Sequence, residues 1–173
     1  MILDVTAGHR AMWLNDHDPN VIYLDQKRSV KPDIVAVWQY LPFKDGSIEG
    51  AVKDPPHMLY KSKGKPMGFN FEERCGILDR ATWKKDLGAA YQELMRVLEP
   101  DGMLLVKWND NHVSVKRFLS CFPVEPVSMA SMAASRGVRR PGSSEPRSRT
   151  WYIIFSKSQF ISSDLKFTTE VKA

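Results

Sequence analysis

"TWKKDLGAAYQELMRVLEPDGMLLVKW", residues 82–108, decides the fold. Trp83, Leu87, Tyr91, Leu94, Met95 and Leu98 recur near helical spacing, with Thr82 standing where an N-cap belongs. "EPDG" (99–102) is a turn, and "MLLVKW" (103–108) is an apolar run of strand length. A helix therefore feeds a buried strand. Upstream, "MILDVTA" (1–7), "VIYLD" (21–25), "DIVAVW" (33–38) and "SIEGAVKD" (47–54) are four more strand candidates. Continuous apolar strands suit a sheet covered on both faces, so the chain predicts a doubly wound, mostly parallel α/β sheet of Rossmann type.

Downstream, "HVSVKRFLSCF" (112–122) reads as a helix, and "PVEPVSM" (123–129) and "TWYIIFSK" (150–157) read as strands. No helical crossover fits between those two, so the last strand is expected antiparallel. The links 26–32 and 41–47 are also too short for crossover helices, which must be missing or reduced to single turns. "RAMWLND" (10–16) predicts a short helix ending near "DPN". The expected organisation is one domain over 1–160, with basic loops at 57–85 and 128–149, and a tail over 161–173.

Composition narrows the class. The 173 residues are 43% hydrophobic and 26% charged, the balance of a soluble globular domain, and no apolar run approaches membrane-spanning length. The first residues carry no secretory pattern. Cys75 and Cys121 read as reduced thiols of a cytoplasmic protein, and the four histidines show no metal-ligand spacing, so no metal is expected. Net charge is +5, yet it is concentrated. Residues 57–85 hold seven lysines and arginines against three acids, and residues 136–149 hold five arginines against one glutamate. Two basic loops on a mildly acidic body predict a polyanionic partner, with Lys61, Lys63, Lys65, Arg136, Arg139 and Arg140 as candidate contacts.

In an open α/β sheet, ligands bind outside the carboxyl ends of the strands. Those ends carry Asp4 with Thr6, Ala7 and Gly8, then Asp25 with Gln26, then Val37 and Trp38, then "DPPH" (54–57). Gly8 lets the backbone turn tightly and approach a ligand. Asp25, closing the second strand, is suited to a ribose or to a turn.

Taken together, these residues resemble the class I S-adenosylmethionine-dependent methyltransferases over roughly residues 1–110. "LDVTAG" (3–8) stands where that family has its acidic, glycine-rich motif. "YLPFKDGSIEGAVKDPP" (40–56) is similar to its stretch from an adenine-contacting loop into the fourth strand, and "YQELMRVLEPDGMLLVKW" (91–108) to its helix, turn and fifth strand. "DPPH" looks like the Asp-Pro-Pro-aromatic motif of enzymes that methylate exocyclic amines of nucleic-acid bases. The resemblance implies S-adenosyl-L-methionine as cofactor, bound by Asp4, Thr6, Ala7, Gly8, Asp25, Gln26, Val37 and Trp38. It implies Asp54, Pro55, Pro56 and His57 as the catalytic set, with adenine N6 in DNA or RNA as first target.

Departures are specific. His57 stands where the family has Tyr, Phe or Trp. His9 and Arg10 replace later glycines of the first motif, and Arg10 is a candidate partner for the methionine carboxylate. Val37 stands where relatives carry an acid for the adenine amine. No helix precedes the first strand, which predicts an open cofactor pocket. Two other functions stay open: a non-catalytic, methyltransferase-like subunit binding nucleic acid or a partner, and a methyltransferase acting on a small molecule or protein amide.

Overall fold

The computed structural model describes residues 1–59, 76–133 and 148–161. Its seven strands are β1 (Ile2–Asp4), β2 (Val21–Asp25), β3 (Ile34–Val35), β4 (Ile48–Lys53), β5 (Leu98–Asn109), β6 (Ser128–Ala133) and β7 (Arg149–Ser156). Helices α1 (Trp83–Val97) and α2 (Val115–Leu119) flank β5 in sequence. The strands form one sheet in the order β3-β2-β1-β4-β5-β7-β6. β1 to β5 run parallel, and β7 and β6 are added antiparallel. The strand order reverses between β1 and β4, which creates the crevice for a ligand.

Side-chain alternation assigns the two faces. Leu3, Val5, Leu24, Ala51 and Val106 join the main core beneath α1, whose Leu87, Tyr91, Leu94 and Met95 are fully buried. On that side, Trp108 stacks on Phe118 of α2 with ring centroids 4.2 Å apart, and its indole N–H donates to the Val113 carbonyl at 3.0 Å. Val21 and Tyr23 face the other way, where Trp13 packs edge-on to Tyr23 at 5.9 Å.

The helix predicted over 10–16 is instead a chain of turns. Arg10 takes φ = 57°, a left-handed conformation that helices exclude. The Asn15 and Asp18 side chains accept hydrogen bonds from the backbone of His17 and Asn20, an alternative to helical pairing. The 26–32 link holds only a single 3-10 turn, Arg28–Val30, in keeping with its length. Thr82 precedes α1 without capping it; its hydroxyl donates to Asp86 at 2.6 Å.

The turn at "EPDG" is absorbed into β5 as an irregularity. Ile48 pairs with Leu98 while Gly50 pairs with Met103, so the chain bulges between them. A Cβ on Gly102 would lie 3.0 Å from the Glu99 carbonyl and 3.1 Å from that of Glu49, so a side chain there would press on backbone of both strands. Strand β6 starts at Ser128 rather than Pro123, because Pro123 and Pro126 cannot donate to a ladder.

One clamp fixes the loop between β3 and β4. Arg96 of α1 reaches the Leu41 and Phe43 carbonyls at 3.0 and 2.9 Å, Asp45 at 2.6 Å and Glu93 at 2.7 Å. Glu93 accepts the Leu41 N–H in return, and its hydrogen bonds to Arg96 hold its carboxyl below the usual range. The segment carrying Trp38 is thereby tied to the helix.

Candidate active site

A cavity of about 430 Å³ opens at the carboxyl ends of β1, β2 and β4. One wall is the turn after β1, with Thr6, Ala7 and Gly8, facing Asp25, Gln26 and Lys27 after β2. Ala36 and Trp38 form a second wall, and Asp54, Pro55, Pro56 and His57 a third. The structure thus gathers ten of the twelve candidate cofactor and catalytic residues around one space. Asp4 and Val37 stand apart from its lining.

Asp4 is a support beneath the cavity. Its side chain is buried and accepts the Thr6 N–H at 3.0 Å and the Trp13 indole N–H at 2.7 Å. Burial pushes its carboxyl above the ordinary range against those two hydrogen bonds, and the Asp54 and Asp25 charges add to the rise. Val37 is substantially exposed. Arg10 is turned away, its guanidinium 4.0 Å over the Tyr23 ring and bonded to the Asp16 carbonyl at 2.6 Å and to His17. It braces the second sheet face and leaves the methionine-carboxylate role to other groups.

Gly8 has φ = 49°, and its N–H donates to Asp25 Oδ2 at 2.9 Å. The Lys27 N–H donates to Asp25 Oδ1 at 2.8 Å. Asp25 therefore locks two turns together while each oxygen keeps acceptor capacity toward the cavity.

Thr6 joins the two halves of the site. Its hydroxyl oxygen accepts the Asp54 N–H at 2.6 Å, fixing the start of "DPPH" against the β1 turn. Pro56 packs on Gly76, where a Cβ would lie 3.0 Å from the proline ring and φ is 70°. His57 is held mainly by burial below the ordinary imidazole range; the Asp54 charge opposes that shift, and His112 and Lys107 add to it. A neutral ring at neutral pH follows.

Two lysines stand out beside those residues, and the first, Lys107, completes the wall. Lys107 Nζ donates to Asp54 Oδ2 at 2.6 Å. The parallel register pairs Lys53 with Val106, so Lys107 stands beside Asp54. A lysine inside the apolar run "MLLVKW" was the signal. Lys53, next to Asp54, points to the opposite face, is buried, and has no hydrogen-bond partner. Its amine lies 3.4 Å over the centre of the Trp38 ring. Lys61, Lys63, Lys65, Arg136, Arg139 and Arg140 lie outside the described residues. Among the described residues no cluster of His, Cys, Asp and Glu is arranged for a metal, and no helix is long and apolar enough to cross a membrane.

No family model matches the chain, and no curated protein sequence does. Solved structures match its fold. An S-adenosylmethionine-dependent methyltransferase from Methanosarcina mazei aligns over 90% of this chain and 91% of its own, with 14% identity and a TM-score of 0.58. The chain has the class I methyltransferase fold. Geranyl diphosphate C-methyltransferase from Streptomyces coelicolor A3(2), in complex with S-adenosyl-L-homocysteine, aligns over 90% of this chain and 69% of its own (11% identity, TM-score 0.53). A possible histamine N-methyltransferase from Thermotoga maritima aligns over 90% and 81% (12% identity, TM-score 0.53). The cavity described above lies at the switch in strand order of this methyltransferase fold.

Proposed function

We propose that the protein is an S-adenosyl-L-methionine-dependent methyltransferase acting on an exocyclic amine of a nucleic-acid base, adenine N6 first. One observation carries this reading: Asp25 and the Asp54-Pro55-Pro56-His57 run face the same cavity, tied to one turn after β1 through Gly8 and Thr6 respectively. The residues fit the cofactor. Asp25 offers carboxylate lone pairs for the ribose hydroxyls, the Gly8 turn allows close backbone approach, and Trp38 with Ala36 offers an apolar surface for the adenine ring. The bound cofactor supplies an electrophilic sulfonium methyl.

The chain's own part is to prepare the amine. An exocyclic amino nitrogen shares its lone pair with the aromatic ring. Asp54 has one oxygen held by Lys107, leaving Oδ1 to accept an amino N–H. The Pro55 carbonyl, stiffened by two consecutive prolines, accepts the other. Both contacts strengthen as the nitrogen becomes tetrahedral, freeing its lone pair for in-line attack. The nitrogen then sheds one proton, which Asp54 Oδ1 is placed to receive. Neutral His57 offers a flat face for a base removed from its stack.

The test is transfer of labelled methyl to matched oligonucleotides containing adenine, or purine lacking the 6-amino group. Labelling of the first alone is expected; equal labelling of both sinks the assignment. Asp25→Ala is expected to weaken S-adenosylmethionine binding, measured by calorimetry, by about 1–3 kcal/mol, the range for removing a charged hydrogen-bond acceptor from a site. Unchanged affinity in the folded variant would move the cofactor elsewhere.

A further inference from the structure

We infer that α1 and α2 present a second basic face, beside the "DPPH" wall, that holds the phosphates flanking the target base. This rests on the nucleic-acid reading above and extends it: Arg80, Lys84 and Lys85 close the first basic stretch, and Lys116 and Arg117 of a separate helix, outside both basic loops, join them. Arg80 just before α1, Lys84 and Lys85 in its first turn, and Lys116 and Arg117 on α2, are all exposed. Lys84 Nζ and Arg117 Cζ each lie 5.7 Å from the centre of the same ring, Trp83, which brings cations of two separate elements together over one indole. Both charges also bear on the Cys121 thiol, whose pKa is raised overall by burial. Among the described residues, none of the five cations forms an ion pair. Two carboxylates share the stretch, Asp86 accepting from Thr82 and Asp79 from the Ala81 N–H, so the five cations are in excess.

Excess like charges repel one another, an arrangement that favours an anionic partner. Its position indicates which anion. Leu59, two residues after His57, forms a parallel bridge with Leu78 and donates its N–H to His112 Nδ1 at 3.3 Å. Gly76 lines the cavity and is four residues from Arg80; His112 is four residues from Lys116. Four residues span at most about 14 Å. The cations on both helices therefore lie within a few nucleotides' reach of a base seated on His57, since successive phosphates of duplex DNA rise about 3.4 Å per strand. A polyphosphodiester meets this geometry; a single small anion would need only one of the two helices.

The experiment is fluorescence-anisotropy titration of the wild type and of a Lys84→Gln/Arg117→Gln variant with single-stranded DNA, duplex DNA and single-stranded RNA, across about 50 to 200 mM salt. The slope of log K against log salt is expected to flatten by about 0.7 to 0.9 for each phosphate no longer neutralised, hence by up to about two in the double variant. S-adenosylmethionine affinity should stay unchanged. Lys116→Gln, a fully surface change, should flatten the slope as well and keeps the test alive if the double variant unfolds. The same slope in both variants overturns the inference and leaves the nucleic-acid reading standing. A wild type that binds none of the three at the lowest salt overturns both. Displacement of bound oligonucleotide by poly-glutamate at equal charge would assign the face to an acidic protein and also overturn it.

Discussion

Replacing Asp54 with alanine is expected to cut single-turnover methyl transfer by at least about 10²-fold, the scale on which one preorganised polar group acts in a transition state. The Asp54 N–H is fixed by Thr6 and its Oδ2 by Lys107, so the free oxygen is aimed before any substrate arrives. An acceptor whose hydrogen bond strengthens as the amine becomes tetrahedral affects turnover more than ground-state binding. Cofactor affinity should therefore change much less than rate. Asp54→Asn keeps the shape and a carbonyl oxygen but loses the charge, and should fall between the two. The Lys107 amine left behind is partly exposed and can be solvated, so the fold should survive; thermal melts check this. A parental rate in Asp54→Ala would reduce "DPPH" to a stiff turn.

Lys53→Met is expected to raise stability at pH 7, by roughly 1–3 kcal/mol, the cost of burying a polar group without a hydrogen bond. The Lys53 amine is buried without a hydrogen bond, and burial alone pulls its pKa well below the ordinary value. Its contact with Trp38 returns part of the cost, up to about 2 kcal/mol for a desolvated cation over an indole. The sign with pH follows from proton counting. Between the lowered folded pKa and the unfolded value near 10.4, the unfolded chain binds more protons, so wild-type stability rises with pH. The advantage of methionine should shrink as pH rises through that interval toward about 10. Denaturant titrations of both proteins at pH 7 and pH 9.5 measure it. A variant less stable than wild type at pH 7 would show that the amine contributes net stability through Trp38.

The parts of the fold written in local chemistry were legible in the sequence. β2, β4 and β7 fall within a residue of the β-branched and aromatic runs that predicted them, and α1 follows its apolar stripe from Trp83. Short links at 26–32 and 41–47 correctly foretold a sheet with few crossover helices. What was hidden depends on backbone state or register. Nothing in "GHRAMW" announces that Arg10 adopts a positive φ, so its side chain was aimed at the cofactor rather than at Tyr23. β6 consists of "SMASMA", whose small residues lack strand character, and its position is fixed by pairing with β7. In the site, "DPPH" and Asp25 stood out because proline pairs and strand-end acids are rare and chemically pointed. Lys107 needed the β4–β5 register to be seen as the partner of Asp54. Asp4 looked like a ligand-binding acid, and only its burial under Trp13 shows it to be a brace.

The most direct measurement is to incubate the protein with methyl-labelled S-adenosylmethionine and single- and double-stranded DNA and RNA, digest the products, and separate the nucleosides. The expected result is label in N6-methyladenosine or its deoxy counterpart, abolished in Asp54→Ala. Label confined to protein or small molecules, or to a ring-carbon position of a base, would contradict amine methylation at this cavity.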